Sequence, residues 1–263
     1  MARRLVAIVQ ARLGSTRLPG KALLDLSGSP MIAHVLSRAA AISGVDDVVL
    51  ATTDSRQDDA LADFAWQIGH ACVRGSVEDV LDRYRAALRA HPADAVVRIT
   101  GDCPLLDPAV SARVVDDYLR AEGGVDYASN VHPPTYPDGL DTELISAAAL
   151  EEAWREARMP SDREHVTPFI WRQPKRFAMA NVLHSDDLSA LRWTVDDARD
   201  LEFARTVYEA LSPDGTRMFG MDEVLELLRA RPHLGSLNAG TRRNEGFERS
   251  RLADLAASKG QGS

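Results

Sequence analysis

Three short apolar runs, at residues 5–10, 48–53 and 95–100, alternate with segments of helical period at 30–42, 58–68 and 77–89. Runs this short and rich in Val, Ile and Ala suit strands buried on both faces. Strands separated by helix-length segments are joined by crossovers and therefore lie parallel. The pattern predicts an α/β fold of three layers, a Rossmann-like, mainly parallel sheet between helices. The first helix has a start signal, with Ser29 as cap and Pro30 in the first turn, followed by Met31, Ile32, Val35, Leu36 and Ala39 on one face.

From about 125 to 182 the rhythm breaks. A Pro-rich stretch, HPPTYPDGLD, is followed by helical patterns at 146–158 and 162–173 and by the strand-like RFAMANV. This segment reads as an insertion that forms a substrate lid or a dimerisation surface, with Trp154, Phe169, Ile170 and Trp171 as apolar residues for a homodimer face. The α/β pattern returns at 191–195 and in a helix at 198–211. Residues 1–250 thus read as a single domain, and the small, polar end of the chain (251–263, finishing SKGQGS) reads as a frayed, flexible tail.

Composition narrows the function. The chain has 263 residues, 45% hydrophobic and 27% charged, which suits a globular fold with a full core. No apolar run approaches the roughly 20 residues of a membrane span. Two arginines precede the first apolar run, but that run is too short for a secretion signal and reads as a strand. Cys72 and Cys103 are too few for a disulfide framework, so a cytoplasmic location is expected. A formal charge of −8 argues against nucleic-acid binding, which needs surplus Lys and Arg. Any phosphate binding must be local.

The segment ARLGSTRLPGK, residues 11–21, meets that requirement. It follows the first strand, where open α/β folds place ligands, and its glycines let backbone amides approach phosphate oxygens. Arg12, Arg17 and Lys21 add three positive charges, while Ala11, Gly14 and Ser15 offer small side chains and backbone. Five residues separate Gly14 from Gly20, and Ala22 stands where a Walker loop has Ser or Thr. Neither that loop nor the dinucleotide fingerprint fits. On charge alone the segment is equally a solvated basic turn; its position favours a phosphate site.

Extended to ARLGSTRLPGKALLDLSGSPMIAHVLSRA, the loop resembles the N-terminal signature of 3-deoxy-manno-octulosonate cytidylyltransferases, relatives of the acylneuraminate cytidylyltransferases. GSVEDVLDRY, VRITGDCPLLDP, YPDGLDTEL, DREHVTPFI, RWTVDDARDLE and NEGFERS are similar to the spore-coat polysaccharide biosynthesis protein F branch of the same group. The resemblance implies a nucleotide-diphospho-sugar transferase-like fold, a homodimer, and an enzyme that uses CTP and magnesium to activate a small acidic sugar as its CMP derivative. In that reaction Arg12 and Lys21 would act on the phosphates, and Arg17 would reach either the leaving phosphates or the incoming acid. It makes Asp102 a ligand of Mg2+, in keeping with the preference of a hard cation for one or two carboxylates and phosphate oxygens. Asp196 matches the first Asp of the family's VDTPEDL pattern and becomes the second ligand, with Asp197 a helix cap; Asp197-Ala198-Arg199 replaces Thr-Pro-Glu. Ser76, Asp79 and Arg83 fall in the region that contacts base or ribose in these relatives, while Asp79, Asp82 and Arg83 equally fit the solvated face of a helix.

Acceptor recognition is expected in the segment that breaks the rhythm. Asn130, His132, Tyr136, Asp138, Asp141 and Glu143 lie within fourteen positions, and Arg163, Glu164 and His165 follow. Bases for a carboxylate or phosphate and acids for hydroxyls suit a small anionic acceptor. His165 also fits a buried structural histidine. Other acceptors, a phosphonate or a polyol or sugar phosphate, remain open. So do a glycosyltransferase, although the chain lacks an Asp-x-Asp, and a nucleotide-binding module without catalysis.

Overall fold

The computed structural model describes residues 3–121, 124–240 and 243–260. In chain order the strands and helices are β1 (Leu5–Gln10), β2 (Asp25–Leu26), β3 (Ser29–Pro30), α1 (Met31–Ala40), β4 (Asp47–Thr53), α2 (Asp59–Gln67), β5 (Ala71–Gly75), α3 (Val80–Ala90), β6 (Ala95–Thr100) and α4 (Pro108–Arg120). The second half holds β7 (Tyr127–Ser129), β8 (Glu143–Ser146), α5 (Ala147–Glu156), α6 (Pro160–His165), α7 (Pro168–Trp171), β9 (Met179–Asn181), α8 (Ala198–Leu211), α9 (Met221–Ala230) and α10 (Glu245–Gly260). The main sheet runs β5-β4-β1-β6-β8-β7-β9, parallel across its first four strands, with β8 antiparallel to both neighbours.

Strand periodicity sorts the core. Leu5, Ala7 and Val9 pack with Met31, Ile32, Val35 and Leu36 of α1 on one face of the sheet. Val6 and Ile8 pack with Val80, Leu81, Tyr84 and Ala87 of α3 on the other. Successive side chains of a strand point to opposite faces, so one apolar run supplies both layers. From β1 the chain crosses outward to β4 and β5, then returns to β6 on the other side and continues the opposite way. The reversal opens a crevice at the carboxyl ends of β1 and β6, where such sheets bind ligands.

The structure departs from the sequence pattern at several points. Ser29 is not the cap of α1: it pairs with Leu26 in a two-strand ladder, and Pro30 takes the cap position with an extended backbone. The helical pattern at 162–173 splits into α6 and α7, because Val166 adopts a left-handed backbone (φ 70°) and Pro168 lacks an N–H. Residues 191–195 form no strand, only a bridge between Arg192 and Asp138. The 125–182 segment does not merely cover the sheet; it supplies β7, β8 and β9. Its apolar residues are engaged within the chain. Ile170 is buried in the second core cluster, against which Phe169, Trp171 and Trp154 pack, and the Arg85 guanidinium lies 3.3 Å from the Trp154 ring centroid. The expected tail is helical through Gly260, and buried Asp254 accepts a hydrogen bond from the Ser161 amide at 3.1 Å. Residues 261–263 lie outside the described residues. Among those described, no helix is long and apolar enough to cross a membrane.

Candidate active site

The loop after β1 is held at both ends. The Leu13 amide donates to buried Asp58 at 2.7 Å, and the Gly20 amide donates to the Leu13 carbonyl at 3.0 Å. Gly20 has φ 71°, a conformation that a side chain disfavours, and this turn delivers Lys21 to the crevice. Opposite, Gly101 allows the end of β6 to approach the loop. A Cβ there would lie 2.6 Å from the Ala11 Cβ and 2.9 Å from the Gln10 carbonyl.

Lys21 is the centre of the charge network. Its Nζ donates to Asp102 Oδ2 at 2.9 Å, Asp196 Oδ1 at 2.9 Å and the Val195 carbonyl at 2.8 Å. Asp102 and Asp196 thus face one point, the Lys21 ammonium. A backbone bond from the Val195 amide to the Asp102 carbonyl, 2.8 Å long, ties the two segments. Asp196 also meets Arg17 at 3.1 Å and Arg192 at 2.8 Å. Burial alone would lower the Lys21 pKa, but Asp102 and Asp196 outweigh it and raise the pKa above the ordinary lysine value. Burial likewise opposes ionisation of Asp196, yet Lys21, Arg192 and Arg17 hold its pKa at about 2. Asp197 is a helix cap: it accepts from the Arg199 and Asp200 amides, while Asp200 accepts from the Asp197 amide. The three oxygens around Nζ form a hard donor set for a cation, and phosphate oxygens and water can complete the coordination of a small divalent ion. The residues therefore fit magnesium.

A cavity of about 790 Å³ opens in front of this network. Ala11, Arg12, Gly14, Ser15, Arg17 and Lys21 line it, with Asp102 and Asp196. Asp79 and Arg83 line it too, although both also have structural work. Asp79 caps α3 through the Asp82 amide and pairs with Arg163, while Arg83 donates to the carbonyls of Ser76 and Val77. Ser76 is not in the lining; its hydroxyl accepts from the Glu78 and Asp79 amides and shapes the turn before α3. Arg163, Glu164 and His165 reach the cavity from α6, and His165 meets Ser250 at 3.2 Å.

The other expected acceptor residues are absent from this lining. Asn130 is fully buried; its side chain donates to the Leu140 carbonyl and accepts from the Thr142 amide, both at 2.8 Å. His132 stacks on Trp171, with ring centroids 4.5 Å apart. Tyr136 is fully buried, and its hydroxyl has no hydrogen-bond partner among the described residues. Asp138 pairs with Arg192 at 3.1 Å. Asp141 pairs with Arg243, although burial pushes its carboxyl up to about 7. Glu143 pairs across the sheet with Arg98 and accepts from the Tyr127 hydroxyl at 2.5 Å. Asn130, Asp138, Asp141 and Glu143 thus spend their polarity on the fold. Asn130→Ala is accordingly expected to cost about 2 kcal/mol or more, because it leaves a buried amide and a buried carbonyl unpaired. Urea denaturation checks this, and an unchanged melting curve would return Asn130 to the list of ligand-binding candidates.

Arg192, Asp58 and the cavity-lining Arg158 and Arg249 escaped the sequence reading. Asp58 resembles any residue at the start of a helix. The partners of Arg192, Asp138 and Asp200, join it only through the turn at 137–140 and the cap of α8. Arg249 sits in NEGFERS, a motif to which the reading attached no role.

Cationic groups converging on paired carboxylates at the switch point of this sheet suit phosphoryl transfer assisted by charge, and the class of the protein is a nucleotidyltransferase. Residues 6–228 match the family model described as cytidylyltransferase, and the chain belongs to that family. It is similar to the 3-deoxy-manno-octulosonate cytidylyltransferase of Anaeromyxobacter sp. strain K, with 39% identity over 254 residues covering 89% of this chain and 99% of the relative. It is also similar to the spore coat polysaccharide biosynthesis protein SpsF of Bacillus subtilis, with 29% identity over 237 residues covering 87% and 95%. A solved cytidylyltransferase from Leptospira borgpetersenii superposes with a TM-score of 0.84 at 29% identity, covering 92% of this chain and all of that one.

Proposed function

We propose that this enzyme transfers CMP from CTP to a hydroxyl of a small acidic sugar. The observation that carries the reading is the Lys21 ammonium held between Asp102 and Asp196, beside an arginine-bearing loop, at the wall of a nucleotide-sized cavity. The relatives named for 3-deoxy-manno-octulosonate support the acceptor class. In the reaction the acceptor oxygen bonds to the α-phosphorus, the α–β phosphoanhydride breaks, pyrophosphate departs and the hydroxyl loses its proton. Phosphoryl transfer of this kind depends on alignment and charge neutralisation more than on covalent catalysis.

Arg12 and Lys21 face the phosphates from the loop, and Arg17 reaches the departing pyrophosphate. Asp102 and Asp196 would hold magnesium, which supplies charge neutralisation at the phosphate oxygens when bound. The test is a panel of CTP, UTP, ATP and GTP with sugar acids, read as pyrophosphate release in magnesium. CTP with a sugar acid is expected to give the fastest release. Faster release from UTP or ATP would remove the cytidylyl assignment.

A further inference from the structure

The cavity has two walls of different origin. One is the nucleotide wall already described. The other comes from Arg158, two residues before α6, from Pro160 and Arg163 to His165 of α6, and from Gly246 and Arg249 of α10. Helix α10 lies beyond the matched family region, which ends at residue 228. It is fastened to α6 at several points. Ser250 Oγ donates to Glu164 at 2.6 Å, Asp254 accepts from the Ser161 amide, and Phe247 packs edge-on against His165 with centroids 5.2 Å apart. Upstream of the helix, Arg243 donates to the Tyr136 carbonyl at 3.0 Å and pairs with Asp141. The C-terminal arm is therefore built onto the α6 wall of the cavity.

The ionisable groups of this second wall sort cleanly. Arg163 is committed to Asp79, Glu164 to Ser250, and His165 to Ser250 with Glu164 3.6 Å away. Arg158 and Arg249 line the same cavity and are exposed to it, and neither has a carboxylate within ion-pair distance among the described residues. In a chain of net charge −8, two guanidiniums that have no ion-pair partner among the described residues and line the same cavity as the phosphate loop suit a second anion. A planar guanidinium suits bidentate recognition of a carboxylate or phosphate.

We propose that Arg158 and Arg249 form the subsite for the acceptor's anionic group, so that the C-terminal helix completes the acceptor site. This rests on the reading of the opposite wall as the nucleotide site. The triphosphate has its own cations in Arg12, Arg17 and Lys21, which leaves the second wall to the molecule that attacks it.

The test titrates two anions, 3-deoxy-manno-octulosonate as the carboxylate and glycerol 3-phosphate as the phosphate, into protein loaded with magnesium and α,β-methylene-CTP. Arg158→Gln, Arg249→Gln and, as a charge control outside this cavity, Arg155→Gln are compared with wild type. At least one anion is expected to bind wild type about tenfold or more tightly than either cavity variant, the size of one charge-assisted contact. Arg155→Gln should behave as wild type, and the anion bound identifies carboxylate or phosphate chemistry. Affinity for the CTP analogue should stay within about twofold in all variants, since Arg158 and Arg249 would serve the acceptor and not the triphosphate. A tenfold loss of analogue affinity in Arg249→Gln would assign these arginines to the triphosphate and overturn the proposal. Equal anion binding by wild type and cavity variants would overturn it too. Failure of the analogue to bind wild type would instead remove the nucleotide reading, and this proposal with it.

Discussion

Lys21→Ala is expected to lower turnover about 10²- to 10³-fold at saturating CTP and acceptor, the usual cost of losing one preorganised charge in a transition state. The same substitution should raise the affinity of the nucleotide-free protein for magnesium. In the structure the ammonium occupies the point that Asp102, Asp196 and the Val195 carbonyl share, so a divalent cation held there would compete with Lys21 for the same oxygens. Removing the internal cation leaves two carboxylates facing each other without it, and their repulsion favours any cation that replaces it. Calorimetric titration with magnesium and a pyrophosphate assay read the two effects separately. Unchanged turnover in a folded variant would take Lys21 out of the phosphate clamp. Turnover lost with no gain in metal affinity would mean that metal and lysine do not share a site.

How far this arrangement was legible in the sequence depends on the kind of interaction. The edges of β1 and β6 and of helix α8 follow from local pattern, because buried apolar runs and the Asp197 cap carry their own signals. The loop charges and the two aspartates were also visible, since both lie at strand ends or beside a helix cap within distinctive motifs. The convergence of Lys21 on both was not visible: it spans 81 residues to Asp102 and 175 to Asp196. The acceptor residues mark where composition misled. Asn130, Asp141 and Glu143 look like a binding cluster in the chain, but folding turns them toward the Leu140 and Thr142 backbone, Arg243 and Arg98. Polar side chains in a segment that joins the sheet must first satisfy the buried groups around them, and that demand has no local signature.

If Asp102 holds the metal as proposed, Asp102→Asn should have the largest effect of any single change, a loss of turnover of about 10³-fold or more, because removal of a metal ligand forfeits several kcal/mol of charge stabilisation. Here the expected change in metal affinity has the opposite sign to that of Lys21→Ala. Asparagine keeps the shape of Asp102 and can still accept from Lys21, but it lacks the charge that holds a hard cation. Magnesium affinity should fall while the melting temperature stays near wild type, since Asp102 is partly exposed and its backbone carbonyl still receives the Val195 amide. Asp196→Asn should also lose metal, but with a larger structural cost, because Asp196 pairs with Arg17 and with the largely buried Arg192 as well as Lys21. The pair of variants therefore separates two roles that one carboxylate could hide. Full turnover in folded Asp102→Asn at limiting magnesium would show that Asp102 serves only to position Lys21, and the metal would have to be sought elsewhere along the cavity.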